Sequence, residues 1–173
     1  ILPGIIWVAF LFSGILGLNR SFLSEHNNES IQGLMLAPVD RSAIYFGKVV
    51  GNFCLTTLIE VISLPIFLIL FDFNYSASWL WLAVVIVSGT FGFVAVGTFL
   101  AALASNTRSS EVLLPIILFP IIIPVIIGSV EMTKLLFAGG GLVEIATWLR
   151  VIAVFDVVFL VIPFLLFEYL LEA

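Results

Sequence analysis

The chain has 173 residues, of which 62% are hydrophobic and 10% charged, with a formal net charge of −5. A mean hydropathy of +1.31 is more than a water-soluble domain of this size needs, so the solvent is a bilayer. The acidic balance argues against a nucleic-acid partner, and the single cysteine, Cys54, excludes an internal disulfide and any Cys/His metal spacing.

A spanning helix needs about 20 apolar residues, and the sequence supplies five such runs. The first is Ile1 to Leu18. Pro3 sits in its opening turn, where proline is tolerated, and Ser13, Gly14 and Gly17 would let a second helix come close. No basic stretch precedes this run, so it is not a signal peptide. The chain reads as a fragment whose true N-terminus, and an earlier span, lie upstream.

Asn19 to Lys48 is the one long polar interval. It carries Arg20, Arg41 and Lys48, three of the six basic residues, and the only histidine, His26. Ile31, Leu34, Met35 and Val39 alternate with Asn28, Glu29, Gln32 and Asp40 at helical spacing, which predicts an amphipathic helix over about 28–37. Pro38 should end it. Such a helix must rest its apolar stripe on a membrane surface or on another protein.

The second span is predicted over 47–71. Gly47 and Gly51 have the GxxxG spacing of close helix contact, Glu60 lies near the middle, and Pro65 should kink the helix. A short loop follows, flanked by Tyr75, Trp79 and Trp81 as interfacial anchors. The third span, 79–104, is rich in Ser, Gly and Ala, which predicts a central, closely packed helix. The fourth, 112–130, contains Pro115, Pro120 and Pro124. Each removes a backbone hydrogen bond, so a bent helix enclosed by protein is expected, serving either as a hinge or as a fixed kink. Glu131 to Arg150 has two short apolar pieces around Gly139–Gly141 and reads as an interfacial or re-entrant hairpin. The last span covers 151–171, with Asp156 in its outer part. The basic residues at span ends place 19–48 and 105–111 in the cytoplasm.

Four stretches carry a family resemblance. PGIIWVAF at Pro3–Phe10, LNRSF at Leu18–Phe22, QGLMLAPVDRSAIYFGK at Gln32–Lys48 and LLPIILFPIIIPVIIG at Leu113–Gly128 resemble the CcmB family, haem exporter protein B of the ABC complex for cytochrome c maturation. The resemblance runs in order over nearly the whole chain. It implies an all-α, polytopic permease of the ABC-2 type in the bacterial inner membrane, with five spans present of an expected six plus a cytoplasmic amphipathic helix. It implies a CcmA-like cytoplasmic ATPase, CcmC-like and CcmD-like membrane proteins and a CcmE-like haem chaperone as partners, and a homodimer within the complex. Haem is then a substrate of the complex, with no cofactor bound directly. Ahead of LMLAP the family usually shows an acidic-Gly-small-Leu-Glu run, whereas here Asn28, Glu29, Ser30, Ile31 and Gln32 stand, without the Gly and the Glu.

No Walker A sequence, catalytic triad or metal cluster is present, so ATP hydrolysis falls to a partner. The polar interval is the only cytoplasmic segment large enough to receive force from such a partner. Glu29, Ile31, Gln32, Leu34, Met35, Pro38 and Arg41 are therefore the candidate ATPase-coupling residues. An ionised carboxylate at the bilayer centre costs roughly 2.5–3.5 kcal/mol on insertion scales, so Glu60 and Asp156 must pair, hydrogen-bond or be protonated. They serve either as polar lining or a proton-linked switch, or as hydrogen bonds locking two spans. His26 reads as a solvated histidine and Cys54 as a small buried residue. Two other readings share parts of this pattern: an ABC-2-type exporter permease for a lipid, glycan or drug, and an intramembrane enzyme in which Glu60 and Asp156 converge on one pocket.

Overall fold

The computed structural model describes residues 1–27, 36, 38, 40–76, 78–104 and 109–170. They form five α-helices: α1 (Leu2–Asn27), α2 (Arg41–Leu70), α3 (Trp79–Ala104), α4 (Ser110–Phe137) and α5 (Leu142–Leu170). The described residues contain no strand. Each helix holds a segment long and apolar enough to cross a membrane. The helices run up and down, with Trp7 near the start of α1 meeting Thr133 near the end of α4. One end of the bundle therefore gathers Asn27, Asp40, Ala104 and Ser109, and the other gathers Leu2, the 71–78 loop and the 138–141 turn.

The small residues of the third span have the predicted effect. α3 touches all four other helices, and the whole run from Gly92 to Thr98 is buried. Side chains with little bulk let neighbouring backbones approach, and packing contacts then hold helices together where lipid offers no hydrophobic drive between them. Apolar residues gather in two clusters stacked along the bundle axis. One holds Leu18, Val49, Val94 and Leu118 toward the Asp40 end. The other holds Ile6, Leu68, Val85 and Met132 toward the Leu2 end.

The structure departs from the sequence-based expectation at several places. Asn19–Asn27 prolongs α1, and Arg41–Lys48 already belongs to α2, so the polar interval between helices is shorter than expected. Its centre, with Glu29, Ile31, Gln32, Leu34 and Met35, lies outside the described residues. Leu36 and Pro38 are described and exposed, with Pro38 at a bend. Arg41 opens α2.

The stretch 131–150 is not a separate hairpin. Glu131–Phe137 continues α4 and Leu142–Arg150 begins α5, with only 138–141 between them. The chain does turn at the glycines, with Gly139 in the left-handed region at φ 69°, where glycine carries no Cβ penalty. A Glu131–Lys134 ion pair of 3.2 Å partly neutralises the charges that make this stretch look too polar for a helix end. Because α5 starts early, Asp156 stands at the midpoint of its 29 residues and not in an outer part.

The third difference concerns what α4 shows to its surroundings. The helix is continuous through Pro115, Pro120 and Pro124, but the described residues of this chain do not enclose it. Leu114, Leu118, Ile122 and Val125 form its buried stripe. Pro120 and Pro124 fall on the other side and are exposed, and Pro115 is half-buried.

A similar correction applies to α2. Its buried face is Tyr45, Val49, Asn52, Thr56 and Glu60. At about 100° per residue, Cys54 points away from that face and is exposed. Gly47 and Gly51 likewise have open space where a Cβ would stand, so their spacing brings no helix of this chain close. In α1, Gly14 packs on Phe93 while Gly17 is open.

The aromatic residues around the 71–78 loop form one cluster. Phe73 stacks on Phe137 with centroids 4.5 Å apart, and Tyr75 meets Trp79 edge-on at 4.8 Å. Tyr75 also donates its hydroxyl to the Ser78 carbonyl at 2.9 Å. This suits a membrane–water boundary, where one end of the ring is wet and the other apolar.

Candidate functional site

Tyr45, Asn52, Thr56 and Glu60 recur at intervals of 7, 4 and 4 residues along α2. That spacing puts all four on one helix face, and all four are buried. They look onto α3. Tyr45 donates its hydroxyl to the Ala95 carbonyl at 3.2 Å. Asn52 donates from Nδ2 to Thr98 Oγ1 at 3.1 Å. Thr90 donates from Oγ1 to Glu60 Oε2 at 2.6 Å, inside the range for a hydrogen bond to a carboxylate. The antiparallel pair α2–α3 is thus joined by a polar seam that starts a few residues from Asp40 and ends at the middle of the bundle.

At the level of Thr90 other polar groups gather, between the two apolar clusters. Trp7 of α1 donates its indole N–H to Thr133 Oγ1 of α4 at 2.9 Å, and Thr133 donates in turn to the Ser129 carbonyl at 2.7 Å. Ser129 Oγ is buried without a hydrogen-bond partner and faces Gly89 together with the Trp7 ring. A Cβ on Gly89 would collide with both. A cavity of about 10 Å³, lined by Glu60, Thr90, Trp7 and Gly89 among others, lies beside the Glu60–Thr90 bond. It is at the lower limit of room for one water.

Asp156 reaches the same level from α5. One of its oxygens, Oδ1, presses on Gly92, where a Cβ would collide with it. That oxygen is buried and has no hydrogen-bond partner. Glu60 and Asp156 are therefore both at mid-bundle on α3, two residues apart in what they touch, yet they do not converge. Glu60 lines the small cavity and Asp156 lines a separate, more open groove. The convergence that an intramembrane enzyme would need is not found. Among the described residues Arg150 makes no ion pair with Asp156, as expected for residues six apart on one helix.

Sequence reading singled out Glu60 and Asp156 but missed Trp7, Tyr45, Asn52, Thr90, Thr98 and Thr133. The periodicity of polar residues in α2 was the available signal for two of them, Tyr45 and Asn52. The indole of Trp7 had none, because a tryptophan near a span end reads as an anchor.

The polar groups of this site join helices to one another. The site has carboxylate, hydroxyl, amide and indole groups in mutual hydrogen bonds, no group of three or more His, Cys, Asp or Glu that could hold a metal among the described residues, and five membrane-length helices around it. Together these define an all-helical, polytopic membrane protein of the permease class, whose polar groups connect helices across the bilayer's middle.

Residues 1–169 match the family model described as "CcmB protein". The chain belongs to the CcmB family. It is 31% identical over 134 residues to "Heme exporter protein B" of Rhodobacter capsulatus, covering 78% of this chain and 61% of that protein. The protein of the same name from Haemophilus influenzae is 32% identical over 127 residues, covering 73% and 57%. That of Paracoccus denitrificans is 29% identical over 140 residues, covering 81% and 64%. The chain thus spans about three-fifths of the length of the curated relatives it matches. No solved structure matches it. Family and helices together make it a multi-pass protein of the bacterial inner membrane.

Proposed function

We propose that this chain is the membrane subunit of an ABC complex that exports haem for cytochrome c maturation, and that it turns the motion of a partner ATPase into rearrangement of its own helices. The relatives' printed name, "Heme exporter protein B", supports the cargo. The polar seam between α2 and α3 supports the coupling and is the observation that carries it. A CcmA-like ATPase engages the 28–37 segment, for which the sequence predicts an amphipathic helix, with Leu34 and Met35 as its apolar grip and Glu29, Gln32 and Arg41 at its edges. Pro38 stands between that segment and α2. A push there reaches α2 at Arg41 and is passed to α3 through the bonds of Tyr45, Asn52 and Glu60. Since α3 touches every other helix, its displacement shifts the whole bundle, with Pro115, Pro120 and Pro124 as the points where α4 gives.

CcmC-like and CcmD-like membrane proteins and a CcmE-like chaperone take the haem onward, and two copies of the chain serve each complex. The test is covalent haem on c-type cytochromes. Deleting the gene should abolish haem attachment while the apo-cytochromes still accumulate, and the intact gene should restore it. Undiminished attachment in the deletion strain overturns the reading. Haem loss together with loss of lipid or glycan export would point to a broader exporter and overturn the assigned cargo.

A further inference from the structure

Two oxygens buried at mid-bundle without a hydrogen-bond partner, Ser129 Oγ and Asp156 Oδ1, belong to the hairpin of α4 and α5; the third such atom, Thr57 Oγ1, is on α2. Ser129 and Thr133 share one face of α4, four residues and about 6 Å apart along the axis. The Trp7 indole lies against that face. It donates its N–H to Thr133 Oγ1 at 2.9 Å, and its ring and Ser129 Oγ together occupy the space where a Cβ on Gly89 would stand. Asp156 Oδ1 rests on Gly92. Ser88, one turn away on α3, lines the same groove as Asp156, and its hydroxyl turns back on the Val85 carbonyl at 3.1 Å. One movement serves both oxygens. A shift of the hairpin by one turn toward the Leu2 end carries Ser129 to the level of Thr133 and Asp156 to the level of Ser88. We infer that the α4–α5 hairpin has two registers against α1, α2 and α3, one helical turn apart: the present one, with Trp7 on Thr133, and a second, with Trp7 on Ser129 and Ser88 on Asp156.

The packing divides along the same line. The seam ties α2 to α3, and α1 interlocks with α3 where Phe93 fills the space at Gly14 and Leu18 that at Gly97. The hairpin is held by its 138–141 turn and by Ile152 and Trp148 against Gly128. The buried stripe of α4 suits a one-turn step, because Leu114 would take the seat of Leu118, and Leu118 that of Ile122. Exchanges of like volume are the ones a packed core tolerates best. Val125 would take the seat of Ser129 beside Gly89, and Leu160 that of Asp156 beside Gly92, where no Cβ stands in the way. Packed interfaces move between discrete positions, and one-turn steps of one element past another are a recurrent form of switching. A pull on α2 toward the Asp40 end is the same relative motion. The step thus supplies the moving part of the proposed coupling, and it rests on that reading for what drives it.

The test is disulfide formation between paired cysteines in the full-length protein in membranes, with its own cysteines replaced. Phe12 of α1 meets Phe119 of α4 with ring centroids 6.1 Å apart, and both are exposed, so Phe12→Cys with Phe119→Cys reads the present register. In the second register the turn that holds Ile116 stands opposite Phe12, and Phe12→Cys with Ile116→Cys reads it. Thr133→Val removes the acceptor now in use and should raise the second disulfide relative to the first at least threefold. Ser129→Ala and Ser88→Ala should each lower that ratio at least threefold. A ratio that Thr133→Val or Ser129→Ala leaves unchanged, in variants that insert at wild-type level, would overturn the two registers. These shifts need no ATPase. In the complex with its partner ATPase, ATP should move the ratio in the direction of Thr133→Val. A ratio that answers to the substitutions and not to ATP would leave the registers standing and overturn the coupling.

Discussion

Thr90 of α3 donates a 2.6 Å hydrogen bond to Glu60 of α2, and Glu60 is 2% exposed. The pair joins two helices at the depth where a carboxylate is hardest to accommodate, and it is the inner end of a seam that begins beside the polar interval.

Removing the donor should therefore be more costly than its size suggests. Thr90→Val leaves a buried carboxylate oxygen unpaired, at about 1–3 kcal/mol, whereas Thr90→Ser keeps the hydroxyl. Thermal unfolding of the purified protein should show a lowered Tm for Thr90→Val and a near-native one for Thr90→Ser. Equal Tm values for the two would show that the bond contributes nothing.

Glycine replacements should divide by location. Gly89→Ala must displace Trp7 and Ser129, and Gly92→Ala must displace Asp156 and crowd Val125. Overpacking of this kind costs about 1–3 kcal/mol. Gly47→Ala and Gly51→Ala meet open space and should be neutral or stabilising by up to about 1 kcal/mol, since alanine is the better helix former. Unfolding midpoints of the four variants check the ordering, and a stable Gly92→Ala would contradict the close approach of α5 to α3.

Trp7→Phe keeps an aromatic ring, though a smaller one, and deletes the N–H that bridges α1 to Thr133. Interhelical hydrogen bonds in membranes average about 0.6 kcal/mol and reach about 1.7. A double-mutant cycle with Thr133→Val should return a coupling energy within that interval, and zero coupling would reduce the contact to packing.

The 28–37 segment is tested through its apolar stripe. Leu34→Asp with Met35→Asp should cut co-purification of the ATPase at least tenfold while membrane insertion is unchanged. Normal recovery of the ATPase would remove this segment from the coupling route.

The spans were legible because their apolar runs are long, and the central place of α3 was legible because Gly89, Gly92, Ala95 and Gly97 are too small for a lipid-facing helix to need. Helix ends were harder to read. Glu131, Lys134, Glu144 and Arg150 lower the local hydropathy, but helix geometry continues through charges that pair or reach water, so α4 and α5 extend past their apolar segments. Pro120 and Pro124 illustrate a different limit. Sequence shows that they remove hydrogen bonds, but which side of α4 they occupy depends on where Leu118 and Ile122 pack. Cys54 was misread in the same way, since residue type alone does not report the face on which a position falls.

The four-residue connection between α4 and α5 bears on synthesis. Two helices so closely tied leave the ribosome as a pair, and α4 is available as an apolar companion before Asp156 has to enter the lipid. Alone, an aspartate at the midpoint of a helix opposes insertion by about 2.5–3.5 kcal/mol. A nascent-chain force measurement should thus record easier entry for the pair than for α5 by itself, which makes the Gly139 turn an aid to biogenesis as well as a link in the finished bundle.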